Sequence, residues 1–138
     1  MRKKSIECWI YNRIEKQFLL LLVSNSAVTF WQPITGGIKR NESSENAAIR
    51  EIYEETGIIV EHNCIFSIGK HSVAINADLV IDKQLYLMVT TEKDVKISKE
   101  HADYRWGKAE NIPDNLKWKN NIESFTHSLK LVQSFLFN

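Results

Sequence analysis

The sequence predicts an α/β fold in one domain spanning residues 1–138, and three observations support this prediction. Strand-length stretches rich in β-branched and aromatic residues recur along the chain. A central segment carries the capping residues of a short helix, and apolar residues near the C-terminus recur at helical spacing. With 138 residues, 43% of them hydrophobic, the chain can bury one sizeable core and shows no break where a second core would begin.

The first part of the chain is predicted to form two strands joined by a polar turn, then a third strand. Ser5 to Tyr11 is rich in strand formers. Phe18 to Val23 is a continuous apolar run of strand length, which is expected to be buried on both faces. Val28 to Trp31 predicts a short strand, and the proline and paired glycines between Pro33 and Gly37 predict a loop after it.

A helix of about three turns is predicted next. Ser43 or Ser44 can cap its N-terminus, the helix is expected to run to about Thr56, and Gly57 suits the position just past its end. At about 100° per residue, its expected packing face consists of Ile49, Ile52, Tyr53 and Thr56.

The remainder is predicted to be mostly sheet, followed by a helix. Strand formers are concentrated in Ile58 to Val60, Cys64 to Ile68, Val73 to Val80 and Gln84 to Thr91. Asp82-Lys83 predicts a hairpin turn, and Tyr104 to Trp106 predicts a further short strand. An amphipathic C-terminal helix packed on the sheet is predicted by the spacing of Ile122, Phe125, Leu129, Val132 and Leu136.

Charge and cysteine content bear on the class of partner and the compartment. Eighteen basic and seventeen acidic residues give a net charge of +1, so no global field favours duplex nucleic acid or a membrane surface. The longest apolar block, Phe18 to Val23, is far too short to span a bilayer. Cys8 and Cys64 match no disulfide or zinc framework and are expected to be reduced core side chains. We therefore expect a cytoplasmic protein.

Three glutamates on the predicted central helix carry the main chemical signal. Glu51, Glu54 and Glu55 project onto one arc of about 100°, where their like charges repel one another. A hard divalent cation such as Mg²⁺ suits this arc, because it prefers carboxylate oxygens and shares its coordination with substrate phosphates. Arg50 lies four residues before Glu54 and is expected to hold that carboxylate in place. The alternative is a solvated acidic helix face with one salt bridge.

The whole string around this helix favours the chemical interpretation. Gly36 to Ile58 reads GGIKRNESSENAAIREIYEETGI. It resembles the complete signature of the Nudix hydrolase family, with every fixed position filled. The resemblance implies a Nudix fold, in which a mixed sheet lies between helices, and hydrolysis of a nucleoside diphosphate linked to another group. The signature covers 23 of the 138 residues, so it indicates the family and its chemistry but not the substrate.

The resemblance also implies roles for the matched positions. Mg²⁺ or Mn²⁺ would be held mainly by Glu51, Glu54 and Glu55, beside the loop that contains Gly36. Arg50 takes the family's orienting role. The proton of the attacking water would pass to a glutamate, and the sequence does not choose among the helix glutamates and Glu42.

A second resemblance extends beyond the signature. Trp31 to Gly36 reads WQPITG and Glu100 to Trp106 reads EHADYRW. Both are similar to the bacterial dihydroneopterin triphosphate pyrophosphatase subfamily, which is also linked to dATP hydrolysis. In that subfamily the glutamate matching Glu100 supplies a further metal ligand from a loop, and the threonine matching Thr35 contacts substrate.

Each of these outlying positions also has an ordinary structural interpretation. Glu100 could be a solvated loop charge, and Thr35 could simply shape the turn. Trp31 could stack on a purine or pterin, or it could belong to the core. His71 and His101 show no partner in the sequence and are interpreted as structural or solvated.

One departure from the subfamily concerns phosphate binding. The basic residue on its second strand is replaced here by the uncharged segment Val23-Ser24-Asn25. Phosphate contacts are expected instead from Lys39, or from Arg2, Lys4 or Arg40.

The leading hypothesis is a metal-dependent pyrophosphohydrolase. Its substrate would be a small nucleotide or pterin triphosphate, namely dATP, another (d)NTP or dihydroneopterin triphosphate, cleaved to a monophosphate and pyrophosphate. Alternative substrates are a dinucleoside polyphosphate or the triphosphorylated 5' end of RNA. An alternative of another class is a nucleotide sensor without catalysis. The sequence does not decide between a monomer and a homodimer.

Overall fold

Seven strands form one mixed sheet within residues 1–136, which the computed structural model describes. The strands are β1 (Arg2–Asn12), β2 (Gln17–Ser24), β3 (Thr29–Gln32), β4 (Ile34–Gly37), β5 (Ile65–Asn76), β6 (Leu79–Thr90) and β7 (Asp103–Gly107). The helices are α1 (Ser44–Thr56) and α2 (Lys119–Leu136), and short 3-10 turns lie at His62–Cys64, Ala109–Asn111 and Pro113–Asn115. The predicted α/β class, with a mixed sheet between helices, is confirmed.

Strand β1 is the centre of this sheet. It runs parallel to β6 along its whole length, from the pair Arg2 and Val80 to the pair Asn12 and Thr90. On its other edge, its C-terminal end pairs with β2 and its N-terminal half pairs with β4, both antiparallel. Strand β2 then pairs with β3 and β7, while β5 pairs with β6. Strand β4 is thereby fixed beside β1.

Alternation along β1 divides the interior into two cores, because successive side chains point to opposite faces. The core on the α1 side includes Ile6, Cys8, Ile10, Ala47, Ala48 and Ile52. The core on the α2 side includes Trp9, Phe18, Leu20, Leu87, Phe125 and Val132. The sheet therefore lies between the two helices, with each helix covering one face.

Helix α1 begins and ends as predicted, but its buried face differs. The Ser43 side chain accepts from the backbone N–H of Asn46, and Gly57 ends the helix in the left-handed region at φ 76°. Tyr53, expected to pack inward, is 58% exposed, whereas Glu55, expected on the acidic face, is 3% exposed. The helix is rotated about its axis relative to the prediction, because small Ala47 and Ala48 face the sheet.

The hairpin turn predicted at Asp82-Lys83 is wrong, since both residues lie within β6. The chain turns at 77–78, where the backbone N–H of Asp78 donates to Asn76 Oδ1 at 2.8 Å. Asp82 is typical of turns in sequence. In the structure its carboxylate pairs with Arg2 on the neighbouring strand at 2.8 Å.

Other predicted boundaries also change. Residues 58–60 do not form a strand, although Ile58 and Val60 are buried in the α1-side core. The segment Ile34–Gly37 is a strand rather than a loop, because its backbone pairs with residues 5–8 of β1. The strand predicted at 64–68 falls within β5 from Ile65, and β5 continues through Gly69 with a shift of register. The strand predicted at 73–80 is wrong, because it spans the end of β5, the turn at 77–78 and the start of β6.

The predicted C-terminal helix is confirmed as α2. Phe125 and Val132 are buried and Leu129 is half-buried, whereas Ile122 is 36% exposed. The side chain of Leu136 lies outside the described residues. None of the helices in residues 1–136 has the length and apolar character needed to cross a membrane.

Replacing Gly57 with alanine is expected to lower the free energy of unfolding by about 1 kcal/mol. A Cβ there meets only ordinary contact with Lys96, at 3.6 Å, so the cost comes from the left-handed backbone, which disfavours L side chains. Urea unfolding measures the difference. Gly37→Ala is the control, because its added methyl meets open space. Equal losses in the two variants would contradict this account.

Candidate active site

Helix α1, strand β4 and the loop before β7 meet around one cavity of about 470 Å³, which we call the acidic cavity. Its walls are Thr35, Gly36, Gly37, Glu51, Glu54, Glu55, Ser98, Lys99 and Glu100. The structure thus brings together the three helix glutamates, the distant Glu100, Gly36 and Thr35. Lys99, which sequence reasoning missed, adds a cation to the same walls.

Arg50 connects the helix to the loop that precedes it. Its Nε and Nη2 donate to the two carboxylate oxygens of Glu42 at 2.8 and 2.9 Å, and its Nη2 also donates to the Gly37 carbonyl at 2.9 Å. Its Nη1 donates to Glu51 Oε1 at 2.7 Å and more weakly to Glu54 Oε2 at 3.3 Å. Glu42, rather than the expected Glu54, is therefore the principal partner, because it binds the guanidinium with both oxygens.

These contacts shift the titration of the groups involved. Hydrogen bonds from Arg50 lower the pKa of Glu42 to about 2. Burial raises the pKa of Glu51, and Arg50 partly opposes that rise. Glu42 is thus a permanently charged anchor for Arg50, while Glu51 stands between this anchor and the acidic cavity.

Glu55 is the most buried member of the acidic cavity. Burial, followed by the charges of Glu51, Glu100 and Glu54, raises its pKa to about 9. Its Oε1 lies 3.4 Å from Nε2 of His101, and its Oε2 has no hydrogen-bond partner among the described residues. Burial also lowers the pKa of His101, so this neighbour offers little positive charge.

His101 is a site neighbour that sequence reasoning did not find. It is 8% exposed, and its Nδ1 has no hydrogen-bond partner within residues 1–136. Its position directly after Glu100 was the only signal that it approaches the glutamates. His71 lies elsewhere, 3.5 Å from Glu123 of α2.

The absence of a side chain at Gly36 leaves space for the Glu51 carboxylate. A Cβ at Gly36 would lie 2.1 Å from the carboxylate carbon of Glu51. Any side chain at this position would displace that carboxylate. The glycine is therefore required by the position of its neighbour, not by its own backbone, which is an ordinary strand conformation paired with Ile6.

The donor set fits a hard divalent cation. Carboxylate oxygens are the preferred ligands of Mg²⁺ and Mn²⁺. A cation would offset the burial and the neighbouring negative charges that raise the pKa of Glu55. Within residues 1–136, however, no three acidic, histidine or cysteine side chains are already gathered as metal ligands. Binding would therefore require side chains such as Glu51, now turned to Arg50, to rotate.

A second cavity of about 600 Å³ adjoins the acidic cavity and shares Thr35 and Gly36 with it. We call it the aromatic cavity, because Phe30 and Trp118 line it edge to face, with ring centroids 5.9 Å apart. Its other walls are Ser5, Gln32, Val73, Ala74, Ile75, Ile81, Lys83, Asn120 and Asn121. A flat apolar group joined to a phosphate chain would fit across the two cavities.

Two expected substrate residues lie outside these walls. Trp31 packs against the α2-side core, and the guanidinium of Arg105 lies 4.5 Å from its ring centroid. Neighbouring strand residues point to opposite faces, so Phe30 and Gln32 reach the cavity instead. Lys39 is exposed in the loop before α1, where its backbone N–H donates to Glu42.

Comparison with known proteins identifies the family. The NUDIX domain model matches residues 1–129. The chain belongs to the Nudix family. It is a Nudix hydrolase, an enzyme class that acts on phosphoanhydride bonds.

Individual relatives share the fold along most of their length. The dihydroneopterin triphosphate diphosphatase of Haemophilus influenzae is 26% identical over 134 residues, covering 87% of this chain and 79% of the relative. The E. coli dihydroneopterin triphosphate pyrophosphohydrolase structure superimposes with a TM-score of 0.76 at 23% identity, covering 91% of this chain and 94% of that one. A C. elegans Ap4A hydrolase gives 0.68 at 22% identity, covering 97% and 99%. The Nudix fold is thus shared by relatives with different substrates.

The raised pKa of Glu55 predicts a pH-dependent stability difference from the Glu55→Gln variant. The folded protein binds this proton more tightly than the unfolded chain, with pKa values of about 9 and 4.5. Wild type therefore loses stability relative to the variant as pH rises between these values, by up to about 1.4 kcal/mol per pH unit. Chemical denaturation of wild type and Glu55→Gln in EDTA, from pH 5 to pH 9, measures the difference in their free energies of unfolding. A difference that stays constant across this range would contradict the burial of a strongly perturbed carboxyl group.

Proposed function

We propose that this Nudix domain, residues 1–138, hydrolyses a phosphoanhydride bond of a small nucleotide or pterin triphosphate and releases a monophosphate and pyrophosphate. The main observation behind this proposal is that the acidic cavity and the aromatic cavity adjoin. Four carboxylates line the acidic cavity, and Thr35 and Gly36 connect it to an aromatic cavity suited to a heterocycle. The substrate class includes dATP, other (d)NTPs and dihydroneopterin triphosphate.

Mg²⁺ or Mn²⁺ is the proposed cofactor, and Glu51, Glu54, Glu55 and Glu100 are its proposed ligands, with Gly36 beside them. When bound, it would neutralise phosphate charge and lower the pKa of the attacking water. Arg50 would hold the loop through Glu42 and stay beside Glu51 when that carboxylate turns to the cation. Lys99, exposed on the wall of the acidic cavity, is available to the phosphates.

One of the glutamates is expected to accept the proton of the attacking water. Glu55 in its protonated state cannot accept the proton of water, so it must first lose its own proton, which a nearby cation would favour. Glu54 is more exposed, with its side chain 50% accessible, and it already lies on the cavity wall. We propose Glu54 as the group that orients the attacking water, because of this access.

The proposed compartment is the cytoplasm. Cys8 and Cys64 are both free, and Cys8 is buried. Free buried thiols persist most readily in a reducing compartment. This assignment rests on cysteine chemistry, as the sequence prediction did.

Replacing Glu54 or Glu55 with glutamine is expected to lower turnover by about 10²-fold or more, because each change removes charge that stabilises the reacting centre. The measurement is pyrophosphate and phosphate release with Mg²⁺ from a panel of (d)NTPs, dihydroneopterin triphosphate, Ap4A and 5'-triphosphorylated RNA. Glu61→Gln is the matched control, since Glu61 is exposed beyond α1. Wild-type rates in both variants would sink the proposal. Tight nucleotide binding without any turnover would favour a sensor instead.

Gly36→Ala is expected to lower turnover by at least about tenfold, because displacement of a catalytic group by an ångström has effects of this size. Its methyl group would displace the Glu51 carboxylate. Thermal melting should change little, since a flexible side chain can move aside. Gly37→Ala, with open space around its Cβ, is expected to lose less activity. Equal rates for the two variants would show that the position of Glu51 does not limit the reaction.

A further inference from the structure

A buried ion pair lies at the wall of the aromatic cavity and is not explained by the proposed hydrolysis. Glu7, on β1, is 1% exposed. Its Oε1 accepts from Lys83 Nζ at 2.8 Å and from Asn121 Nδ2 at 2.9 Å. Its Oε2 accepts from Ser124 Oγ, which in turn accepts from the Trp9 indole N–H at 2.8 Å. Three donors therefore satisfy the carboxylate.

Lys83 is the charged member of this network that lines the aromatic cavity, beside Asn121. Its side chain is 13% exposed and lines the cavity. An ammonium group has three N–H donors, and within residues 1–136 its hydrogen bond is to Glu7 alone. Two donors thus remain for another acceptor, while the pairing with Glu7 fixes where the ammonium sits.

The position of Lys83 suits the heterocycle rather than the phosphates. Gly37 of β4 is opposite Ser5 of β1, and Ser5 is opposite Lys83 of β6. Lys83 and Gly37 are thus two strands apart, and Lys83 lines the aromatic cavity but not the acidic cavity. Phe30 and Trp118 offer their rings to the same cavity, where a base stacks favourably.

A fixed ammonium discriminates between heterocycles by their acceptors. An oxo group, as at C6 of guanine and hypoxanthine or C4 of a pterin, accepts a hydrogen bond from it. The exocyclic amino group of adenine presents donors at the same place and would leave the two remaining N–H groups of the ammonium without an acceptor there. A buried ion pair is also costly to form, and a recognition role at the adjoining cavity would offset that cost.

We propose that Lys83, held by Glu7, is a specificity-determining residue that makes the aromatic cavity select an oxo-substituted purine or pterin over adenine. This inference rests on the proposed function, since it assumes that the aromatic cavity holds the heterocycle of the triphosphate. It narrows the substrate class to guanine, hypoxanthine and pterin triphosphates.

The test compares dITP with dATP, because the two bases differ only at the oxo or amino position and its neighbouring ring nitrogen. Wild type is expected to favour dITP by at least about tenfold, the size expected for a hydrogen bond to a charged group. Both kcat/KM with Mg²⁺ and the dissociation constants by calorimetry with Ca²⁺ are measured. No preference, or a preference for dATP, in wild type overturns the inference without any variant.

The double variant Glu7→Leu/Lys83→Met removes both charges, so neither is left buried alone. The ratio of kcat/KM for dITP to kcat/KM for dATP should fall to about one, because that hydrogen bond is lost. The control Lys70→Met changes an exposed lysine on β5 and should keep the wild-type ratio. Equal losses for both nucleotides would mean that Lys83 binds phosphate, and an unchanged ratio would mean a purely structural pair. Either result overturns the inference.

The two proposals fail separately. Absence of turnover on every substrate would refute the hydrolase assignment, while the calorimetric ratio would still test Lys83. Turnover without discrimination between dITP and dATP would refute the role of Lys83 and leave the hydrolase assignment standing.

Discussion

Repulsion among carboxylates is the constraint around which the acidic cavity is built. Glu51, Glu54, Glu55 and Glu100 line one cavity, and Glu55 is almost fully buried there. Burying a charge without a partner is costly, and the pKa of Glu55 rises accordingly. Arg50 offsets part of the charge, but its donors are shared among Glu42, Glu51, Glu54 and the Gly37 carbonyl. A divalent cation would compensate the negative charge that Arg50 leaves uncompensated around Glu55.

The rest of the fold holds these carboxylates together against their repulsion. Ile52 and the paired alanines of α1 are buried on the sheet, so the helix cannot rotate to move Glu55 into solvent without losing apolar contact. Arg50 joins α1 to β4 through Gly37, and β4 is itself paired with β1. The Arg50 side chain thus helps to couple the position of α1 to that of β4, and its bidentate contact with Glu42 fixes its own geometry.

Local signals in the sequence predicted the local parts of this structure. The caps at Ser43 and Gly57 depend on neighbours within a turn of helix, and both are confirmed. The rotation of α1, the strand at Ile34–Gly37 and the pairing of Asp82 depend on contacts between distant segments, which periodicity does not encode. Trp31 is a further example, because the face of the sheet on which its side chain lies depends on the pairing of β3 with β2, which the local sequence does not predict.

Two buried glutamates within the described residues show why partners, rather than burial alone, determine what a carboxylate can do. Glu7 is as buried as Glu55, but three donors surround it and one of them is a cation. Its charge is therefore compensated inside the protein, and it can act only by holding Lys83 in place. Glu55 has an uncharged histidine beside one oxygen and no partner for the other. Burial and the neighbouring carboxylates therefore favour its protonated form, and ionisation would need a positive charge from outside the protein, which is the property expected of a ligand for a bound cation.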